Sequence, residues 1–304
     1  MHRLQKKFSN LIFGVSKLKP ARNCFITCAG KVDGVGAQAQ AVLSTMLFAR
    51  GLGIQYAHTP FSQIAHNDEG DERWEAKWED FFHFGAGEIL RDDVENTDIE
   101  VIHSEFLYRV YPRARTLWVV PHAHAYADAH AYLYKNLLEA LRFKMQLRSV
   151  EMKSHRWQDR LTIALHLRRG DVASDEPGRF TANAHALALL ENVVELLKSE
   201  GLDFGVNLYS EGVLQDFEDF SSPHVRCYIG GSVFETLHNM IDADVLIMAK
   251  SSLSYTAGIL SGNVSLYEKF WHTPLPNWIQ VGEQGSFDEA MLVEEIRRLS
   301  EESG

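Results

Sequence analysis

The sequence predicts an α/β protein of two units, each a parallel sheet covered by helices, set side by side with ligand between them. Three observations carry that expectation. The second half alternates short apolar, β-branched runs with apolar-periodic helical stretches, the pattern of a sheet buried on both faces. The first half opens on an apolar run, a Gly-rich turn and a helix, which together make one strand–turn–helix unit. Between the halves, residues 142–160 are rich in Lys, Arg, Gln and Ser, a composition shift suited to a domain boundary. The expected division is an N-terminal unit over 20–150, a second unit over 151–285 and a terminal helix over 286–304.

In the first half, Cys24–Cys28 reads as a strand running into Gly30, Gly34 and Gly36, followed by a helix over 39–50 closed by Gly51. The glycines do not match the dinucleotide fingerprint. Gly34 and Gly36 let a sugar or phosphate approach the backbone at a helix N-terminus, the alternative being a tight turn that needs positive φ. Ile54–His58 supplies the next strand. Trp74, Trp78, Phe81, Phe82 and Phe84 then form an aromatic stripe expected to pack on the core. Thr116–Val120 reads as a strand, followed by His122, His124, Asp128 and His130 and a helix over 132–147. That spacing matches no metal signature, and a polar cleft lining is the reading preferred.

In the second half the expected strands are Leu161–Leu165, Gly205–Ser210, Val225–Ile229, Asp244–Ala249 and Val264–Tyr267, the last in the chain. The expected helices cover 183–198, 213–220, 233–241, 253–260 and 287–302.

Composition narrows the function classes. A net charge of −11 argues against a general nucleic-acid binder, so cations that matter must be concentrated locally. Cys24, Cys28 and Cys227 are odd in number and read as free thiols of a reducing compartment. The basic N-terminus carries the apolar run Leu11–Val15, too short to span a bilayer and without a cleavage site behind it. A cytoplasmic protein is expected, with an amphipathic leader lying on a membrane surface as the alternative.

Chemistry concentrates at strand ends. Leu161-Thr162-Ile163-Ala164-Leu165 gives way to His166-Leu167-Arg168-Arg169-Gly170-Asp171, which places a pair of guanidiniums at the carboxyl end of a strand. In an open α/β sheet ligands bind there, and planar bidentate donors suit phosphate. Ser210-Glu211-Gly212 and Lys250-Ser251-Ser252-Leu253-Ser254 end two other strands. Hydroxyls and free N–H groups at a helix start form a phosphate cradle. All three turns should share one sheet edge and one anion site.

His-x-Arg-Arg-Gly-Asp at a strand end is similar to the first motif of the α1,2-, α1,6- and protein O-fucosyltransferase superfamily. Ala243–Tyr255 resembles a later motif of that group, and Ser210-Glu211 its intervening strand end. The resemblance covers roughly residues 161–267; where some members carry a Trp pair after Ser-Ser, this chain has Tyr255-Thr256. It implies a GT-B fold, two Rossmann-like domains facing across a cleft. It also implies inverting, metal-independent transfer from GDP-fucose to a hydroxyl of a glycan acceptor, with no cofactor. Arg168 would bind the β-phosphate, and His166, Arg169, Ser251, Ser252 and Ser254 would complete the nucleotide-sugar site with Glu211. Glu235 is the candidate for reading guanine.

Inverting transfer needs a base for the acceptor hydroxyl and a stabiliser for the leaving diphosphate. Arg168 and the serine turn fit the second role. Asp171, Asp175 and Glu176 are candidates for the first, with an exposed turn as the alternative for Asp175-Glu176. Asp242-Ala243-Asp244 has the form of a metal-binding D-x-D but sits at a helix-to-strand junction, so it reads as structural. Competing functions are the same mechanism with another donor such as UDP-xylose, or a non-catalytic nucleotide-sugar-binding GT-B domain. An unrelated phosphatase or kinase is a third, weakened by the lack of a P-loop or Cys-x5-Arg loop.

Overall fold

In a computed structural model the described residues are 23–67, 70–172 and 178–302, the side chains of Ser300 and Glu302 excepted. The expected leader at Leu11–Val15 and the candidate bases Asp175 and Glu176 lie outside them. The chain divides into two compact units at Val150 and Glu151, each built on a wholly parallel sheet with helices. This is the α/β class expected.

Unit 1 runs β1 (Cys24–Cys28), α1 (Val35–Leu52), β2 (Gln55–His58), α2 (Trp74–Phe82), β3 (Ile89–Leu90), α3 (Arg91–Glu95), β4 (Glu100–His103), β5 (Thr116–Val120), α4 (His124–Ala129) and α5 (Lys135–Met145). Its strand order is β3-β2-β1-β5-β4. The central strands β1 and β5 are buried throughout, whereas the edge strand β4 is mostly exposed. That explains why β1 and β5 were legible and β3 and β4 were not. The aromatic stripe packs as expected: Trp78, Phe81, Phe82 and Phe84 are buried, with Phe82 and Phe84 stacked at 4.6 Å.

Helix α1 differs from its expected bounds at both ends. It starts at Val35 and passes through Gly51. A Cβ on Gly51 would come within 1.9 Å of the Tyr126 hydroxyl, so this glycine admits a neighbour instead of ending the helix. The stop is Gly53, in the left-handed region at φ 64° with its N–H on the Ala49 and Arg50 carbonyls. The predicted helix over 132–147 is a 3-10 turn, Ala131–Leu133, leading into α5. Cys24 and Cys28 are buried free thiols, and burial pushes Cys28 up to about 12.

Unit 2 runs β6 (Leu161–Leu167), α6 (Asn183–Ser199), β7 (Phe204–Ser210), the 3-10 helix Leu214–Phe220, β8 (Val225–Ile229), α7 (Val233–Asp242), β9 (Val245–Ile247), α8 (Ser252–Ser261), β10 (Val264–Glu268), β11 (Ile279–Val281) and α9 (Glu289–Glu302). The order is β11-β10-β9-β6-β7-β8. The sequence missed β11, whose three residues extend the sheet beyond the strand taken as last. Ile163, Leu165 and Leu167 of β6 share one apolar cluster with Leu189, Val193 and Leu197 of α6 and Leu292 and Ile296 of α9. The terminal helix therefore belongs to the core of unit 2 and is not an appendage to it.

Among the described residues no helix is long and apolar enough to cross a membrane.

Candidate functional site

Strand β6 sits between β7 and β9, and the chain runs outward from it to β7 and β8 before returning to β9, β10 and β11 on the other side. The loops after β6 and β9 thus diverge, the arrangement that opens a ligand crevice at the carboxyl edge of an α/β sheet. Because β6, β7 and β9 are parallel, the three polar turns meet on that edge.

Alternation along β6 sorts its polar residues. Leu165 and Leu167 enter the α6 cluster, while His166 meets Ser254 of α8, Nδ1 to Oγ 2.5 Å. Both side chains are buried, and Ser254 Oγ also accepts the Ala249 N–H at 3.3 Å. Burial drives the imidazole pKa down to about 4; Glu211 opposes the shift, while Arg168 and Arg169 add to it. A neutral, enclosed ring joins β6 to α8. His166 and Ser254, expected as ligand contacts, are instead spent on each other. Ser251 is the N-cap of α8 and accepts the Leu253 N–H at 3.2 Å, an ordinary capping role. Ser252, the first residue of α8, is partly exposed.

The two arginines separate. Arg169 turns toward the start of α6, donating to the Arg168 and Thr181 carbonyls at 2.8 and 3.0 Å and to Asn183 Oδ1 at 2.6 Å. Its guanidinium lies 4.3 Å from the Phe180 ring centroid. Arg169, expected in the nucleotide-sugar site, thus ties the end of β6 to the start of α6. Arg168 stays at the edge, held by Glu211 (Nη1 to Oε1 2.8 Å) and by Asp171. The other Glu211 oxygen accepts the Arg169 amide at 2.9 Å, so Glu211, expected in the ligand site, also positions the arginine. Gly170, at φ 66°, supplies the left-handed step that folds Asp171 back onto Arg168.

Asp171 also pairs with Arg179 at 3.2 Å. Burial alone would raise its pKa, but Arg168 and Arg179 outweigh it and the carboxyl sits below its ordinary value. The expected base is therefore held ionised in ion pairs and is not raised toward neutrality.

Lys250, quoted in the sequence reading but given no role there, and Glu268, which it did not name, complete the edge. Lys250, at the end of β9, pairs with Glu268 at the end of β10 (2.8 Å), and Thr181 donates to the second Glu268 oxygen at 3.1 Å. Both sit where a strand ends, a signal already used for Arg168. Paired cations of this kind can exchange a protein carboxylate for a phosphate without moving the backbone.

Other expected residues lie apart from this cluster. Glu235 is in the first turn of α7, after β8, where its charge opposes the burial-driven fall of the His155 pKa. Gly34 and Gly36 belong to unit 1. Gly34 caps α1 at φ −65°, so it needs no positive φ, and Gly36 is buried in the first turn. A cavity of about 160 Å³ in unit 1 is lined by Lys31, Gln38, Thr59 and Arg91 among others, and by neither glycine. Asp244 accepts from Arg156 at 2.9 Å and from the Thr162 amide at 2.7 Å, at the amino end of β9. This is the structural role expected for the D-x-D segment. His122 and His124 stack at 4.3 Å, and His130 is buried against Tyr126. Among the described residues no group of three or more His, Cys, Asp or Glu is placed to hold a metal ion.

No family model matches the chain, and no curated protein sequence matches it. Among solved structures, it is similar to the fucosyltransferase NodZ from Bradyrhizobium, at 14% identity over 87% of this chain and 97% of that one, TM-score 0.45. It is also similar to Arabidopsis thaliana FUT1 in complex with GDP, at 10% identity over 86% and 73%, TM-score 0.42. POFUT1 in complex with GDP is similar at 13% identity over 81% and 96%, TM-score 0.39.

Proposed function

We propose that this chain is a GT-B glycosyltransferase that binds a nucleotide-diphosphate sugar, GDP-fucose first, at the carboxyl edge of the unit 2 sheet. The sugar passes to a hydroxyl of a glycan acceptor. The observation that carries the reading is Arg168, fixed by Glu211 at the end of the switch-point strand. Lys250 and the start of α8 follow the adjacent strand β9. A fork-shaped cation, an ammonium and a helix N-terminus suit the two phosphates of a leaving diphosphate. The choice of GDP-fucose rests on the His-x-Arg-Arg-Gly-Asp and Ser-Ser resemblance.

In this reading the acceptor oxygen forms a bond to the anomeric carbon from the face opposite the diphosphate. The anomeric C–O bond breaks with its electron pair leaving on the diphosphate, which inverts the centre. Arg168 and Lys250 take up the developing charge, and a carboxylate after β6, Asp171 or Glu176, takes the acceptor proton. The diphosphate displaces Asp171 from Arg168, which releases that carboxylate from one of its two ion pairs. The reaction as proposed uses no metal.

Thermal unfolding with GDP, UDP, CMP and their sugar conjugates, with and without EDTA, tests this. A ligand at ~100 times its dissociation constant stabilises by about 2.7 kcal/mol. GDP-selective, EDTA-insensitive stabilisation is expected. UDP-selective stabilisation would move the donor to a sugar such as UDP-xylose, and no stabilisation by any nucleotide would reject the site. GDP binding without sugar transfer to any acceptor would reduce the chain to a non-catalytic binder.

A further inference from the structure

Beyond the donor site, the carboxyl edge of unit 2 carries an exposed aromatic side chain. Trp271 follows β10 and is 64% exposed, more than any other large hydrophobic side chain described. A single exposed indole is ordinary on a surface; what sets this one apart is a flat apolar face held in place by its loop.

The loop that holds it is braced. The Tyr267 hydroxyl donates to the His272 carbonyl at 2.7 Å and accepts the Phe270 N–H at 2.9 Å. The Tyr255 hydroxyl donates to the Thr273 carbonyl at 2.6 Å. Both tyrosines are buried, at the end of β10 and in the first turn of α8. Phe270 stacks under the indole at 4.3 Å and 21°. One face of Trp271 is thereby covered, and the other is presented to solvent on a segment tied down at Phe270, His272 and Thr273.

We propose that Trp271 is a stacking platform for a pyranose ring of the glycan acceptor; this rests on the donor reading above. Two features select a sugar over the nucleotide base. The backbone groups of Phe270, His272 and Thr273 that could read the edge of a base are engaged by the tyrosine hydroxyls, which leaves a flat face. A pyranose offers such a face a patch of C–H groups while its hydroxyls remain in water. The position also fits. Glu235, the candidate base reader, follows β8, and Trp271 follows β10, so they flank Arg168 on opposite sides of the sheet edge. A diphosphate centred on Arg168 and Lys250 would point its nucleoside toward β8 and its sugar toward β10.

The test uses the full chain labelled with 5-fluorotryptophan, the Trp271 resonance being assigned by its absence from a Trp271→Phe variant. With GDP bound, titration with lactose, cellotriose and chitotriose is expected to shift that resonance saturably for at least one sugar. GDP alone should leave it in place. Trp271→Ala should weaken the responding saccharide roughly tenfold with GDP affinity unchanged, and Trp271→Phe should restore part of the loss. A shift caused by GDP alone would make Trp271 a base platform and overturn the proposal. So would a shift that depends on protein concentration without sugar, which marks a self-association face. No response to any of the three sugars while GDP still binds would overturn it and leave the donor reading standing. Failure of GDP itself to bind would instead remove the reading beneath it.

Discussion

Glu211 reaches from the end of β7 to the neighbouring strand and fixes Arg168 by its guanidinium, Oε1 to Nη1 2.8 Å, while its second oxygen takes the Arg169 amide at 2.9 Å. One carboxylate thus sets both the side chain and the main chain of the strand end. The Glu211 side chain is 39% exposed, and partly exposed ion pairs contribute little to stability, about 0–1 kcal/mol. Glu211→Gln should therefore shift the thermal midpoint little, yet lower GDP affinity about tenfold by loosening Arg168. Calorimetric titration beside thermal unfolding checks both halves.

Asp171 stays ionised at neutral pH because Arg168 and Arg179 outweigh its partial burial. Its titration cannot set an acid limb of activity near neutrality. Of Asp171→Asn and Glu176→Gln, one should lose turnover by about 10²–10⁴-fold with GDP affinity retained. Near-normal turnover in both variants would place the base elsewhere.

His166 makes stability depend on pH. Its pKa falls from 6.5 to about 4 on folding, so the fold favours the neutral ring. That stability is fully present above the unfolded value and is lost as pH falls toward the folded one. The slope is about 1.4 kcal/mol per pH unit over that window. Urea unfolding at pH 7 and pH 5 should show the wild type losing about 2 kcal/mol more than His166→Asn.

Gly51→Ala separates two opposed effects. Helix propensity alone would favour alanine by about 1 kcal/mol. The new methyl would meet the Tyr126 hydroxyl at 1.9 Å, and overpacking costs about 1–3 kcal/mol. Net destabilisation is expected, partly relieved by Tyr126→Phe, which denaturant unfolding of the single and double variants measures.

What the sequence made legible follows burial. Strands β1, β5, β6 and β7 are central, rich in apolar residues and buried almost throughout, so their patterns stand out. β3, β4 and β11 lie at sheet edges with two to four residues each, too short for a period to show. Gly51 misled because a glycine that admits a side chain is indistinguishable in sequence from one that ends a helix.

At the site, strand ends located the chemistry, but the roles within it needed geometry. His166, Arg169 and Ser254 carry the same functional groups whether they face a ligand or each other, and only alternation along β6 with its neighbours decides. Lys250 and Glu268 are 18 residues apart and become a pair through the β9–β10 register. Trp271 was hidden because exposure is not written in an aromatic residue.

The most direct measurement is calorimetric titration of GDP into the wild-type chain and Arg168→Ala, with circular dichroism to show that the variant keeps its fold. Arg168 is a partly buried ion-pair residue at a strand end, outside the apolar cluster of unit 2, so its removal should leave that core intact. Saturable GDP binding by the wild type is expected, weakened at least a hundredfold in the variant, about 3 kcal/mol. Equal GDP affinity in the two proteins would contradict the assignment of the nucleotide-sugar site to the end of β6.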